Sequence, residues 1–302
     1  CTLPVRPGIL NRPGVVGMPI DFYYHPETMR HFTGTDDDSA RGQLSRSAPL
    51  GVVLAGGMGT RLRPLTDSTN KHLLDVGGVP MIAYALRALA VAGVREAVVV
   101  TGSAHGGAFE DVLAEPGRYG LDRIALALQA EPRGIADALL CARSRLIDQA
   151  ADRDLLVLLG DNLFGASLEP LVRRFREGSD AAMVGLARHD DPGSYGVARL
   201  AGDRVAEIVE KPGDDPPSSW VVPGVYMYRC DVFDEIGALV PSSRGELEIT
   251  DLNNRYAARG ALGHVLLEEW WADAGTPKGL ARAERLIRAH GVNGSARAGA
   301  TP

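Results

Sequence analysis

The pattern of hydrophobic positions along this chain changes near residue 50. Before that point, the stretches RPGILNRPGVVGMP and TGTDDDSARGQLSRSA are rich in Pro, Gly and polar residues and keep no helical or strand period. The sequence therefore predicts an irregular N-terminal extension of unknown role over residues 1–48 and a folded domain over 49–290. The small, polar residues 291–302 predict a flexible tail.

Short apolar runs alternate with amphipathic segments in the folded region. GVVLAG, EAVVVTG and LLVLLGDN are typical of strands buried in a parallel sheet. PMIAYALRALAVAG and GIADALLCARSRLI, which lie between them, carry apolar residues at helical spacing. This alternation predicts an α/β fold with a doubly wound, mostly parallel, Rossmann-like sheet and helices on both faces.

The pattern changes again after Tyr195. YGVARLAGDRVAEIVEKP predicts a hairpin around a Gly-Asp turn, and WVVPGVYMYR predicts one further strand. LEITDLNNRYAARG and PKGLARAERLIRAH predict helices. The second half is therefore expected to add an antiparallel portion to the same sheet.

The composition of the chain limits the classes of molecule that it is expected to bind. The chain has 302 residues and a net charge of −6, which gives no support to binding of nucleic acid or of an anionic membrane. Its three cysteines form no CxxC pair, and no run of 18 apolar residues predicts a membrane span. We expect a cytoplasmic protein that binds neither nucleic acid nor membrane, and any anionic substrate requires a local basic pocket.

A glycine-rich turn follows the first core strand, where parallel sheets bind their ligands. Gly56, Gly57 and Gly59 allow backbone N–H groups to point into one concavity, and Arg61 and Lys71 follow them. A guanidinium is a bidentate clamp for phosphate. No GK[ST] and no GxGxxG is present, so the turn is neither a Walker A loop nor a dinucleotide fingerprint. Taken alone, these residues predict either a phosphate cradle or a tight corner with solvated cations.

Two aspartates follow apolar runs. Asp161 ends the strand in LLGDN, and Asp273 follows Trp271 in WWADAGT. Mg²⁺ commonly takes one or two protein carboxylates together with substrate phosphates. Each aspartate taken alone is more typical of a turn or a helix cap than of a metal site.

The stretch LAGGMGTRLRPLTDSTNKHLL resembles the signature of the sugar-1-phosphate nucleotidyltransferases, most of all the glucose-1-phosphate thymidylyltransferase group in its short form. It is followed in family order by LLGDN, GSYGVARL, EIVEKP, VVPGVYMY, RGELEITDLNN and WWADAGT. The resemblance spans Gly51 to Ile287 and makes residues 49–290 a nucleotidyltransferase domain. It implies Mg²⁺-dependent transfer of a nucleotidyl group from a nucleoside triphosphate to a sugar-1-phosphate, with release of pyrophosphate.

The resemblance also implies roles for single residues. It assigns the nucleotide to Leu54, Ala55, Gly56, Gly57, Gly59, Thr60, Arg61, Gln129, Gly134 and Asp161. It assigns the sugar phosphate to Tyr195, Gly196, Glu210, Lys211, Gly224 and Trp271. The catalytic residues are then Arg61, Lys71, Asp161 and Lys211, and Asp161 and Asp273 hold Mg²⁺. Gln129 carries both a donor and an acceptor, which suits the edge of thymine or uracil.

This chemistry needs cations more than a general base. A sugar phosphate is mostly ionised near pH 7, because its second pKa is roughly 6. The barrier comes from repulsion between anions and from charge on the leaving pyrophosphate, so positioning and electrostatics suffice. Glu210 and Lys211 are adjacent, and neighbours in a strand point to opposite faces. Both can reach a substrate only if the strand ends or twists there, which Pro212 favours.

Several positions depart from the family pattern. Met58 stands where Ser or Thr is common, Asp137 where Gln is usual, Pro223 where Thr is common and Asp75 where Pro is usual. The first hypothesis is transfer from dTTP or UTP to a hexose-1-phosphate. A second keeps the chemistry but uses GTP, ATP or CTP and a cyclitol or other phosphorylated acceptor. A third is an inactive sugar-nucleotide sensor or regulatory subunit, and a homo-oligomer stays an open expectation.

Overall fold

The computed structural model describes residues 48–146 and 153–292 of the chain. The predicted extension lies outside the described residues except for Ala48, and the predicted tail lies outside them except for Gly291 and Val292.

The described residues form fourteen strands and seven α-helices. The strands are β1 Leu50–Leu54, β2 Asp75–Val76, β3 Val79–Pro80, β4 Glu96–Gly102, β5 Arg123–Gln129, β6 Leu155–Leu159, β7 Asn162–Phe164, β8 Ala182–Arg188, β9 Gly196–Ala201, β10 Arg204–Glu210, β11 Trp220–Val221, β12 Val225–Tyr228, β13 Leu262–Leu266 and β14 Trp271–Asp273. The helices are α1 Ile82–Val91, α2 Gly106–Leu113, α3 Ile135–Leu146, α4 Glu169–Glu177, α5 Val232–Gly237, α6 Ile249–Ala258 and α7 Pro277–His290. None of the described helices combines the length and apolar character that a bilayer crossing requires.

Ten strands of the described chain form one mixed sheet in the order β10-β9-β11-β8-β12-β6-β1-β4-β5, with β13 paired to β8. The strands β6, β1, β4 and β5 run parallel. β1 is apolar throughout because it is buried on both faces: Val53 packs into one core, and Val52 and Leu54 pack into the other. Helices α1, α2, α4 and α7 contribute to the first core, and α3, α5 and α6 to the second. The predicted doubly wound α/β fold is confirmed.

The antiparallel portion follows the predicted outline with two differences. β9 and β10 form the predicted hairpin, with Gly202 at a φ of 63° in its turn. WVVPGVYMYR is not one strand, as predicted, but the two strands β11 and β12. The break contains Pro223, which has no N–H to donate to a ladder. The strand β5 was not predicted, because RIALALQ mixes polar ends with partly exposed apolar residues.

One edge of the sheet gathers chain segments that are distant in sequence. The carboxyl ends of β1 and β6 lie side by side, with Leu54 paired to Leu159. The amino end of β12 meets them there, since Val225 pairs with Leu158. The short β7–β14 ribbon pairs Asn162 with Asp273 just beyond this edge. The carboxyl ends of β1 and β6, the amino end of β12 and the β7–β14 ribbon therefore lie at the same edge of the sheet.

Candidate active site

A cavity of about 420 Å³ opens at this edge of the sheet. Most residues that the sequence assigned to a site line it: Leu54, Gly56, Gly57, Arg61, Lys71, Gln129, Gly134, Asp161, Tyr195, Gly196, Glu210, Lys211 and Asp273. The fold thus brings the glycine-rich turn, both aspartates and the Glu210–Lys211 pair to one place.

The other predicted residues, which are Ala55, Gly59, Thr60, Gly224 and Trp271, lie outside the lining. Ala55 is fully buried, and its carbonyl accepts hydrogen bonds from Asn70 at 3.3 Å and Thr101 at 3.2 Å. The buried Trp271 donates its indole N–H to Asn162 Oδ1 at 2.6 Å. Through these hydrogen bonds, Ala55 and Trp271 stabilise the wall of the cavity and do not line it.

The glycine-rich turn makes room for a lysine side chain. A Cβ on Gly57 would lie 3.0 Å from Lys71 Cε and 3.2 Å from its Nζ. Gly59 has a φ of 64°, and its carbonyl accepts a 2.8 Å hydrogen bond from the Thr66 hydroxyl. Met58 is 66% exposed between these glycines. The turn is therefore shaped by glycine backbone and by Thr66 rather than by a side chain at position 58.

Lys71 and Asp161 form a buried ion pair at the floor of the cavity. Lys71 Nζ donates to Asp161 Oδ2, and the two side chains are 12% and 11% exposed. Asn162 Nδ2 donates to the other carboxylate oxygen at 3.0 Å. Burial alone would raise the pKa of Asp161, but the charge and hydrogen bond of Lys71 outweigh it and lower that pKa to about 2. Asp161 is thus an ionised carboxylate at neutral pH.

Asp161, Asp273 and Arg61 converge on a point beside Gly275. A Cβ on Gly275 would lie 2.9 Å from Asp273 Oδ1, 3.0 Å from Asp161 Oδ2 and 3.3 Å from Arg61 Nη2. Burial and the negative charge of Asp161 raise the pKa of Asp273, so the two carboxylates stand close enough to repel each other.

This pair of carboxylates fits Mg²⁺, which is a hard cation that takes oxygen ligands. No group of three or more His, Cys, Asp or Glu side chains in the described ranges is arranged to hold a metal. Mg²⁺ typically keeps one or two protein carboxylates and completes its shell with water and substrate phosphates. A metal between Asp161 and Asp273 would therefore be completed by the substrate.

Glu210 and Lys211 both face the cavity because the backbone turns between them. β10 ends at Glu210, and Lys211 has a φ of 45°, alone among the described non-glycine residues in being positive. Lys211 N–H donates to the carbonyl of Tyr195 at 3.0 Å, which holds this turn. A strained residue of this kind persists only where its surroundings impose it, and such residues cluster at ligand sites. The expected end of the strand at this dipeptide is confirmed.

The Glu210 carboxylate is held by two partners. Its Oε2 accepts from the Thr250 hydroxyl at 2.7 Å, and its Oε1 lies 2.9 Å from Lys211 Nζ. Burial opposes the charge of Glu210, but the hydrogen bonds from Thr250 and Lys211 lower its pKa below the usual value. Glu210 is thus an ionised acceptor that faces the cavity.

Sequence reasoning did not assign several polar residues of the lining, among them His72, Asn162 and Thr250. His72 is buried, and burial together with Lys71 lowers its pKa to about 3, so the ring is neutral. His72 Nδ1 lies 2.8 Å from Asn70 Oδ1, which can only accept, so Nδ1 carries the proton. Asn162 and Thr250 hold the carboxylates of Asp161 and Glu210, and no motif or spacing in the sequence predicts contacts of that kind.

Comparison with known proteins agrees with this geometry. The family model described as Nucleotidyl transferase matches residues 50–290. A glucose-1-phosphate thymidylyltransferase of an Actinoplanes species is 41% identical over 243 residues, which cover 79% of this chain and 78% of that protein. The protein of the same name from Mycolicibacterium smegmatis is 36% identical over 241 residues, covering 79% and 82%.

A solved structure matches as well. The crystal structure of a candidate glucose-1-phosphate thymidylyltransferase from Bacillus anthracis, in complex with sucrose, is 40% identical with a TM-score of 0.74. It covers 80% of this chain and 96% of that one. The chain therefore belongs to the nucleotidyl transferase family, and it is an enzyme of that class.

Proposed function

We propose that this enzyme transfers a nucleotidyl group from dTTP or UTP to a sugar-1-phosphate, with Mg²⁺, and releases pyrophosphate. The observation that carries the proposal is the meeting of two sets of residues in one cavity. Arg61, Lys71 and the two aspartates occupy one part of the lining, and Glu210 and Lys211 occupy another. Relatives named glucose-1-phosphate thymidylyltransferase support the same substrates.

The triphosphate is assigned to the glycine-rich turn. Gly56 and Gly57 line the cavity with backbone alone, which allows phosphate oxygens to approach closely. Arg61 offers a planar pair of donors, and Lys71 adds a point charge beside Asp161. These cations offset charge that develops on the leaving pyrophosphate, which is where electrostatic stabilisation lowers the barrier most.

The acceptor is assigned to the side of the cavity that holds Glu210 and Lys211. Lys211 Nζ neutralises the phosphate of the incoming sugar phosphate and so reduces repulsion between the two anions. Glu210 is ionised and accepts hydrogen bonds from sugar hydroxyls with the capacity that Thr250 and Lys211 leave free. Tyr195 and Gly196 line the same part of the cavity.

The reaction needs no proton transfer from the protein. An oxygen of the sugar phosphate, already ionised near pH 7, attacks the α-phosphorus of the triphosphate. A new P–O bond forms, the bond between the α-phosphorus and the bridging oxygen breaks, and its electron pair leaves with pyrophosphate. A bound Mg²⁺, held by Asp161 and Asp273, would supply charge neutralisation and a fixed arrangement of phosphate oxygens. The residues of this chain position the two anions and offset their charge.

No structural observation favours the other donors or acceptors over this assignment. Asp137 and Pro223, the departures from the family pattern that motivate those alternatives, lie outside the cavity lining, and Asp137 is buried against Gln129 and Arg133. An inactive sensor has no need for the ionised Asp161 beside Lys71, nor for the strained Lys211.

A panel of triphosphates tests the proposal. We would measure pyrophosphate release from dTTP, UTP, GTP, ATP and CTP with several sugar-1-phosphates and a cyclitol phosphate at millimolar Mg²⁺. We expect dTTP or UTP with a sugar-1-phosphate to give the highest kcat/KM. Absence of turnover with every pair would refute the enzymatic proposal, and preference for a purine would refute the assignment of Gln129 to the edge of thymine or uracil.

The substitution Asp161→Asn tests the proposed metal role. It should lower kcat by roughly 100-fold or more, as loss of one key electrostatic group does. The exposed Asp122→Asn, which removes the same charge at the start of β5, is the matched control and should keep full turnover. Near-normal turnover of Asp161→Asn would contradict the metal role.

A further inference from the structure

The side-chain amide of Gln129 has one orientation that satisfies its neighbours. Gln129 ends β5 and is 6% exposed. Its terminal nitrogen lies 2.8 Å from Asp137 Oδ2 and 3.2 Å from the carbonyl oxygen of Gly134. A carbonyl and a carboxylate only accept hydrogen bonds, so the group that faces them must be the NH₂. Both of its protons are then used inside the protein.

The amide oxygen consequently faces the other way, towards the glycine-rich turn. Gln129 Oε1 lies 3.1 Å from the position that a Cβ on Gly56 would take, and both residues line the cavity. None of the hydrogen bonds described for residues 48–146 and 153–292 uses this oxygen. Gln129 therefore presents a hydrogen-bond acceptor to the cavity and not a donor.

Asp137 makes the shorter of the two contacts that enforce this choice, and the Gly134 carbonyl makes the other. It lies in the first turn of α3, its side chain is 6% exposed, and Arg133 Nη2 is 3.1 Å from its other oxygen. A flipped Gln129 amide would set two acceptors against each other in a buried place, and would leave the Asp137 oxygen without its hydrogen bond. With a side chain at position 137 that can also donate, only the longer contact with the Gly134 carbonyl would oppose the flip.

We propose that Asp137 is a specificity-determining positioning residue: by holding the Gln129 amide with its oxygen towards the nucleotide, it selects a base that carries an N–H on its pairing edge. Thymine and uracil present N3–H there, whereas N3 of cytosine is an acceptor and would face Gln129 Oε1 without a proton between them. This inference rests on the proposed function and names the contact that separates thymine and uracil from cytosine. The contact by itself does not separate pyrimidines from guanine, which also carries such an N–H.

The first arm of the test uses the unaltered enzyme and modified donors. The kcat/KM for dTTP should exceed those for dCTP and for N3-methyl-dTTP by about tenfold or more, the order expected for one well-placed base contact. The N3-methyl group replaces the proton that Oε1 accepts and leaves both ring carbonyls in place. Equal use of dTTP and N3-methyl-dTTP would overturn the proposal.

The second arm changes Asp137. In Asp137→Asn, an isosteric amide can donate to Gln129 Oε1, so only the Gly134 carbonyl at 3.2 Å still favours the native orientation of the Gln129 amide. The ratio of kcat/KM for dTTP to that for dCTP should fall about tenfold, and Asp122→Asn should leave it unchanged. Structural damage alone would lower both values and keep their ratio. Asp137→Ser, whose hydroxyl also donates, replaces the Asn variant if that variant does not fold.

The failures of the two proposals can be told apart. A folded Asp137 variant that keeps the full preference for dTTP contradicts the role of Asp137 while the proposed function stands. If no donor is turned over, the proposed function fails. Calorimetric titration with dTDP and dCDP then still tests whether Asp137→Asn loses the preference for thymine.

Discussion

Lys71 and Lys211 carry the same charge into the same cavity, but their side chains are 12% and 56% exposed. Lys71 belongs to the nucleotide half, which we define as the glycine-rich turn, Lys71, Asp161 and Asp273. Lys211 belongs to the sugar half, which we define as Glu210, Lys211, Thr250 and the Arg244 group. In that group Arg244 is 55% exposed and contacts Glu248 at 2.8 Å and Glu246 at 3.4 Å.

The difference follows from the parts of the fold that carry each half. In the nucleotide half, the Lys71–Asp161 pair lies just beyond the carboxyl ends of the central parallel strands and is largely shielded from solvent, although the glycine-rich turn beside it is mostly exposed. The sugar half lies at the end of a hairpin and in the segment before α6, where solvent reaches the charges. A buried pair is costly to break, whereas an exposed pair contributes little to stability. The Lys71–Asp161 pair of the nucleotide half is therefore expected to contribute to the stability of the fold, whereas the exposed ion pairs of the sugar half are not.

The largest effect should separate Lys71→Met from Lys211→Met. Lys71→Met leaves Asp161 buried without its cation, so the free energy of unfolding should fall by about 3 kcal/mol. Lys211→Met removes an exposed pair and should cost less than about 1 kcal/mol. Urea unfolding of both variants measures this contrast. An equal decrease in the free energy of unfolding of the two variants would contradict the distinction between the two halves. Both variants should lose turnover.

Gly275→Ala sharpens the comparison inside the nucleotide half. The new Cβ would occupy the point between Asp161, Asp273 and Arg61, so turnover should fall about 100-fold and the Mg²⁺ requirement should rise. Gly107→Ala is the matched control, because a Cβ there meets no atom within 4 Å. A kinetic comparison of the two alanine variants checks this, and equal turnover would show that the point beside Gly275 is not used.

Thr250→Val should give the smallest effect and tests the sugar half. The change keeps the shape but removes the 2.7 Å hydrogen bond to Glu210. Because that bond lowers the pKa of Glu210 in the native protein, its loss raises this pKa. The ionised acceptor is lost as pH falls through the pKa, so the acid limb of kcat/KM for the sugar phosphate should move to higher pH.

The KM for the nucleoside triphosphate serves as the internal reference for Thr250→Val. The KM for the nucleoside triphosphate should not change, since Thr250 contacts Glu210 on the sugar side. Thr250→Ser keeps the hydroxyl and should keep the original pH profile. A shifted profile in the Ser variant would assign the effect to packing instead.

The central fold could be predicted because its strands are buried on both faces. Continuous apolar runs such as those of β1 and β6 have few other interpretations when helical segments separate them. β5 was not visible, because Leu128 is 50% exposed and Arg123 begins the strand at the edge of the sheet. The division of WVVPGVYMYR into two strands depends on how Pro223 meets its neighbours, which local pattern does not encode.

In the candidate site, the charged residues could be predicted from the sequence, but the residues that hold them and their neighbours in place could not. Arg61, Lys71 and the aspartates stand out because few other residue types can handle phosphate and Mg²⁺. Asn162 Oδ1 accepts a hydrogen bond from the Trp271 indole, which lies 109 positions later in the sequence. Nothing in the sequence around Asn162 indicates that partner. The orientation of the Gln129 amide likewise depends on Asp137, and it follows only from their distance in the fold.

The β7–β14 ribbon also orders events during synthesis. The chain leaves the ribosome from its N-terminus, so Asp161 emerges long before the aspartate that completes its pair. Everything that forms the hairpin and α6 is made in between. Asp273 is the last residue of the cavity lining to be made, so the lining is complete only after β14 has been synthesised and has paired with β7.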